Sequence, residues 1–212
     1  MDVRAAWCGE VLSVGGEYYV GDDGKISSGS AGCAPEEIGG LSPDGLWSAS
    51  VDTSGVVATL VARTGGGRSW SISNAAEPKW SPQNGPLALL GNLCAGFDLF
   101  VFDPTTGVLR NLTPDDDAVI VEYAWRPDGV ALAVDLIPGA DASPRRAIGL
   151  VQLDGGAMTT LLEIDREGEL IPVGFNQSGT RLLFTYNPGR GFCDGSEPLP
   201  RPVTTLTETT RP

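Results

Sequence analysis

Hydrophobic positions along this chain fall in short runs. Leu87-Ala88-Leu89-Leu90, Leu99-Phe100-Val101-Phe102 and Ala131-Leu132-Ala133-Val134 are each bounded by Gly, Pro, Asn or Asp. Runs of this length between turn residues predict strands, and no long stretch carries the 3.6-residue period of a helix. Strict alternation would leave one face of a sheet wet. Unbroken apolar runs predict inner strands covered on both faces.

The punctuation between the runs repeats. Ser42-Pro43-Asp44-Gly45, Trp80-Ser81-Pro82-Gln83-Asn84-Gly85, Trp125-Arg126-Pro127-Asp128-Gly129 and Phe175-Asn176-Gln177-Ser178-Gly179 each precede an apolar strand. Their last glycines are 40, 44 and 50 residues apart, and Trp7-Cys8-Gly9 reads as a degenerate fifth copy 36 residues before Gly45. The chemistry is that of a turn. Ser accepts a local hydrogen bond, Pro sets φ, and Gly takes the left-handed residue of a bulged hairpin. A second recurring unit lies between these turns, as in Asp98 to Asp103 followed by Pro-Thr-Thr-Gly107 and a return strand. One repeat is therefore two hairpins, a four-stranded antiparallel meander. Sheets packed against neighbours on both faces are the blades of a propeller.

In this form the repeat resembles that of the TolB-like propellers: a W-S-P-D-G turn, a short apolar strand, an aliphatic-aromatic strand, Asp-x-x-x-Gly and a closing Leu-Thr. The resemblance covers roughly residues 1–190 and is strongest over residues 80–113. It implies an all-β propeller of about four to five four-stranded antiparallel blades, or a partial one. It does not imply TolB's cellular role, because the separate N-terminal domain of TolB has no counterpart here. The last copy lacks an obvious second hairpin, and residues 17–28 are the expected source of its missing strands. Residues 1–194 read as the propeller domain. Residues 195–212, rich in Pro and Thr, read as a linker or tail, with a closing strand at residues 203–206 as the alternative.

Composition agrees and narrows the function. The 29 Gly and 16 Pro suit many tight turns, while 41% hydrophobic residues exceed what a disordered chain carries. A net charge of −13, with 14 scattered Lys and Arg, argues against a nucleic-acid partner and favours a cationic one. No apolar run is long enough to span a membrane as a helix. The N-terminus lacks a signal peptide's apolar core, which leaves a cytosolic protein or one whose leader is not part of this chain; the abrupt start inside a repeat favours the second, an exported protein, periplasmic or at the cell surface. The four cysteines lack zinc-site spacing. An oxidising compartment would give at least one disulfide, with Cys94–Cys193 the first choice and Cys8–Cys33 the remainder; four buried free thiols are the alternative.

With no histidine, neither a Ser-His-Asp triad nor a His-based metal site can be built. No nucleophile elbow or phosphate-cradling loop is present, so the chain is expected to be no enzyme, with no cofactor and no metal. The carboxylate clusters Asp22-Asp23, Glu36-Glu37 and Asp115-Asp116-Asp117 fall in predicted turns and read as solvated surface. The Asn111 and Asn176 glycosylation patterns read as repeat chemistry, and Trp80 and Trp125 as core. Polar residues six to eight positions past each turn glycine, Asp52, Asn92, Asp135 and Asn187, would end the second strand of each blade and ring one face. They are the candidate partner-binding residues, joined by the long segments 138–146 and 187–198; the alternative is loop-initiating Asx chemistry. The leading functional expectation is a protein- or peptide-binding module of a bacterial envelope or surface protein. The alternatives are a gating propeller from a larger peptidase or other hydrolase, and a glycan-binding surface domain.

Overall fold

The computed structural model describes residues 5–8, 11–14, 18–20, 26–28, 39–54, 57–92, 97–114, 118–137, 145–155, 158–165, 169–187 and 205–210; it describes their side chains except at 5–28, 145, 164, 165, 169, 173, 185–187 and 205–210. These residues form strands and turns only, with every pairing antiparallel.

The first sheet is a meander of β1 (Ala5–Cys8), β2 (Val11–Val14), β3 (Tyr18–Val20) and β4 (Ile26–Ser28). The second contains β5 (Gly40–Leu41), β6 (Trp47–Asp52), β7 (Ala58–Arg63) and β8 (Arg68–Ser73). The third contains β9 (Ala75–Trp80), β10 (Leu87–Gly91), β11 (Asp98–Asp103) and β12 (Val108–Asn111). The fourth contains β13 (Val119–Trp125), β14 (Ala131–Ile137), β15 (Arg145–Gln152) and β16 (Thr159–Asp165). The fifth is the hairpin β17 (Glu169–Phe175) with β18 (Leu182–Asn187). Finally β19 (Thr205–Thr210), from the Pro/Thr-rich tail, pairs with β8 as a fifth strand of the second sheet.

The repeat reading therefore holds, with one reassignment. Residues 17–28 do not complete the last copy. Instead β3 pairs with β2 and β4 with β3, so the degenerate N-terminal copy is the first hairpin of a sheet of its own.

The first strand of the third, fourth and fifth sheets leans on the preceding sheet: β9 on β6 and β7, β13 on β11, and β17 on β13, β14 and β15; β1 lies against β17. This packing explains the unbroken apolar runs. Leu87 and Leu89 of β10 enter one core with Val61, Trp70, Ile72 and Phe102, while Ala88 and Leu90 enter the next with Ile120, Tyr123, Trp125 and Leu132. On β14 the same two-residue period sends Leu132 and Val134 to one side and Ala133 to the other, against Ile148 and Leu170. Each fully buried Leu, Ile or Phe stabilises by about 1.5–3 kcal/mol, so both faces of the middle strands contribute. Trp70 meets Phe102 edge to face at 5.5 Å.

Candidate functional site

A blade of this kind has two ends. One holds the repeat turn and the second hairpin turn of every unit; the other holds the ends of second strands and the connections between blades.

At the turn end, four hairpins close alike. The N–H of Ser42 donates to Trp47, Ser81 to Pro86, Arg126 to Ala131 and Asn176 to Arg181. This aligns the repeat and corrects one position. Gly45, Gly129 and Gly179 share φ of +69°, but in the third sheet Asn84 takes the left-handed place with φ of +53°, not Gly85. Asn tolerates that conformation better than other residues with a Cβ, so this turn keeps the shape of the others without glycine at that place. Successive turns also rest on one another. A Cβ at Gly129 would come within 2.7 Å of Ser81 Oγ, and one at Gly179 within 3.2 Å of Arg126 Cγ. Arg68 donates to the carbonyl of Thr105, Gln83 to Pro127 and Arg110 to Leu153, each linking one blade to the next.

Between these turns lies an open groove of about 650 Å³. The half-buried indoles of Trp47 and Trp80 and the exposed Leu46 and Val108 form its apolar part; Asp44, Asp103 and Arg110 are among its polar lining. Trp80 donates its N–H to the carbonyl of Gly40, so its position is fixed. Asp44 Oδ1 accepts from Ser42 Oγ at 2.6 Å and from the Leu46 N–H at 3.0 Å. Those bonds, Ser42's first, hold its carboxyl below the usual range. Asp103 caps its own turn, accepting from the N–H of Thr105 and the hydroxyl of Thr106. Trp125 is core, as expected, and donates to the carbonyl of Lys79; Trp80 is only partly so. The sequence alone undervalued the groove, because each of its residues reads as turn chemistry until the turns of three blades are brought together.

The strand end is different. Counted from the first residue of the aligned turns, Asp52 is the tenth residue on, Asn92 and Asn187 the eleventh, and Asp135 the ninth. All four belong to the strand end, but at three different register positions, and side chains alternate faces along a strand. Asp52 closes β6; its carboxylate accepts from the N–H of Ser54, and this bond holds its carboxyl low. Asn92, with φ of +55°, donates to Asp98 Oδ2, which Asn111 also reaches. Asn187 ends β18 opposite Glu169. Asp135 is inside β14, paired with Ile148, fully buried and 3.7 Å from Arg146 Nη1. The expected common ring therefore does not include Asp135. Its place in the repeat is that of Leu90, which is buried as Asp135 is, whereas Val51 at the same place of the second sheet is exposed.

Next to it is a cluster that sequence reading missed. Lys79 of β9 is buried between blades, donating to Glu122 Oε1 at 2.8 Å and to the carbonyl of Tyr123 at 2.7 Å, with its Nζ 4.8 Å from the Tyr123 ring centroid. Tyr123 in turn donates to the carbonyls of Glu77 and Ala88. Glu77 is half-buried beside them, and burial followed by repulsion from Glu122 pushes its carboxyl up. Only the shared first-strand position of Glu77 and Glu122, each three residues before a Trp, could have signalled it.

Several expectations concern other segments. Cys33, Cys94 and Cys193, the carboxylate clusters at 22–23, 36–37 and 115–117, and the loop segments 138–144 and 188–198 lie outside the described residues; of Cys8 the backbone alone is described. Asn111 and Asn176 are both engaged in turn bonds, and Asn176 is 1% exposed, which fits repeat chemistry and not a glycan acceptor.

No protein-family model matches the chain, and no curated protein sequence does. Its structure is similar to one assigned as TolB from Agrobacterium tumefaciens, with a TM-score of 0.51 and 14% identity, covering 88% of this chain and 90% of that one. TolB from Acinetobacter baumannii gives 0.49 and 12%, covering 89% of this chain and 52% of that one, so the chain spans about half its length. An acylaminoacyl peptidase from Pyrococcus horikoshii gives 0.44 and 14%, covering 89% and 34%. The fold is thus a TolB-like propeller array.

Proposed function

We propose that this chain is a non-enzymatic, protein- or peptide-binding propeller module of an exported bacterial envelope or surface protein, and that it engages its partner along the groove at the turn end. The observation that carries this reading is the groove itself. Leu46 and Val108 are 51% and 50% exposed beside two half-buried indoles, in a depression that runs over three blades. Exposed apolar side chains grouped in a polar rim mark interaction surfaces, and a depression lined by three successive blades suits an extended segment. The carboxylates lining the groove are tied to neighbouring N–H and hydroxyl groups within their own turns, which suits recognition better than proton transfer. Similarity to TolB in fold supports the envelope setting. Asp52, Asn92 and Asn187 are proposed only as a secondary contact, because Asn92 is already bonded to Asp98.

Panning a random peptide display library on the intact chain tests the reading. Binders are expected, and Leu46→Ser with Val108→Ser, both surface changes, should weaken them about tenfold or more. Indoles flanked by Asn84, Asp103 and Thr105 also suit a sugar ring. A glycan array that binds where the peptide library does not would replace this reading, and turnover of a peptide or glycan would overturn it.

A further inference from the structure

The groove is not electrically neutral along its length. Its carboxylates, Asp44 and Asp103, come from the turns of the second and third blades, whereas its guanidinium, Arg110, is tied to the carbonyl of Leu153 on the fourth. Both bonds to Asp44 run to Oδ1, and its side chain is exposed, so Oδ2 is open to a further donor. An ionised carboxylate offers about four acceptor sites, and those of Asp103 are not exhausted by its turn. Trp47 follows directly on the Asp44 turn, its N–H donating to Ser42 Oγ. An indole face beside a carboxylate is a site for a guanidinium or ammonium. The chain already uses that chemistry internally: Arg68 sits 5.7 Å from the Trp70 ring centroid, and Lys79 rests on Tyr123 beside Glu122. The overall charge of −13 draws such a partner in from a distance.

We infer that the groove selects an extended segment of another polypeptide carrying Arg or Lys, with the cationic side chain placed between Asp44 and Asp103 against the indoles. This rests on the peptide-binding reading of the same groove.

Three capped probes separate the two: acetyl-(Ser-Arg-Leu)₃-amide and the same sequence with Glu or Gln for Arg. They are titrated into the ¹⁵N-labelled full chain while the indole N–H signals of Trp47 and Trp80 are followed. The Arg probe should move both signals and bind at least tenfold more tightly than the Glu probe, and 0.5 M salt should remove most of that advantage. Asp44→Asn with Asp103→Asn, which keeps the acceptors that form the turns, should weaken the Arg probe at least fivefold, whereas Arg110→Gln should not weaken it. Equal binding of the Arg and Gln probes, or no effect of the two Asn substitutions in a folded chain, overturns the charge selection and leaves peptide binding standing. If none of the probes moves either indole, both readings fall.

Discussion

The two ends of the blades use polar side chains in opposite ways. At the turn end the carboxylates and Asn176 fold back on their own backbone, Asp44 on Leu46, Asp103 on Thr105, Asp128 on Val130, Asn176 on Thr180 and Arg181, while the longer Arg68, Gln83 and Arg110 reach the next blade. At the strand end and within the sheets polar side chains reach across strands and blades: Asn92 and Asn111 to Asp98, Asp135 to Arg146, Lys79 to Glu122. Local bonds leave the turn end free to be varied on its outer surface, and there the groove lies. Non-local bonds make the strand end part of the core. Position along a repeat therefore says little about availability until the partner of each polar group is known.

The largest test of that contrast is at Asp135. Were both residues exposed at the ends of their strands, Asp52 and Asp135 would each become Ala at little cost to folding. The buried pair with Arg146 changes this for Asp135, because removing one member of a buried ion pair strands the other, costing about 3–5 kcal/mol. Asp135→Ala should lower the midpoint of thermal unfolding by roughly 6–20 °C. Asp52→Ala, at a turn, should stay within about 0.5 kcal/mol. Asp135→Leu with Arg146→Met should recover most of the loss. Equal midpoints for the two single Ala variants would erase the distinction between the ends.

The same contrast explains what could be read from the sequence. Strand runs and turn positions depend on neighbours in the chain, so the unbroken apolar run at Leu87 to Leu90 and the turns around Gly45 and Gly129 were legible. Residue spacing was less so, since Asn84 and not Gly85 takes the left-handed place of its turn, and β14 runs on past Asp135 to Ile137. The Lys79–Glu122 pair and the groove are made by residues far apart in sequence, and no local pattern marks them.

A smaller effect tests the stacking of turns. Gly45 and Gly129 have the same φ of +69°, yet nothing lies within 4 Å of a Cβ added at Gly45, while at Gly129 Ser81 Oγ is 2.7 Å away. Gly45→Ala should cost about 1–2 kcal/mol from backbone strain alone. Gly129→Ala carries the same strain plus an overlap with buried Ser81, adding about 1–3 kcal/mol. Chemical denaturation of the two variants isolates the packing contribution, since the backbone part cancels. Equal losses would mean that the turns do not bear on one another.

The smallest effect is expected at the half-buried carboxyl of Glu77. Lys79 is the nearby cation, but its ammonium is already committed to Glu122 and to the carbonyl of Tyr123, so Glu77 remains half-buried beside a carboxylate it cannot neutralise. Burial first, and Glu122 second, raise its pKa above the ordinary glutamate value. A raised acid pKa means that the folded chain holds a proton the unfolded chain has released. Between the unfolded value, about 4.3, and the raised folded value, stability falls as pH rises, and above that window the penalty is constant. Glu77→Gln removes the charge and keeps the backbone carbonyl that accepts from Tyr123. The variant should unfold at a higher temperature than the parent at pH 7, and the gap should close as pH falls below about 4. Asp44, Asp52 and Asp128 act with the opposite sign, their pKa values being held low, so they lose stability together on acidification in parent and variant alike. The comparison of parent with variant cancels those losses. A gap that is absent at pH 7, or that widens in acid, would show that Glu77 reaches solvent and that the strand-end network stops at Glu122.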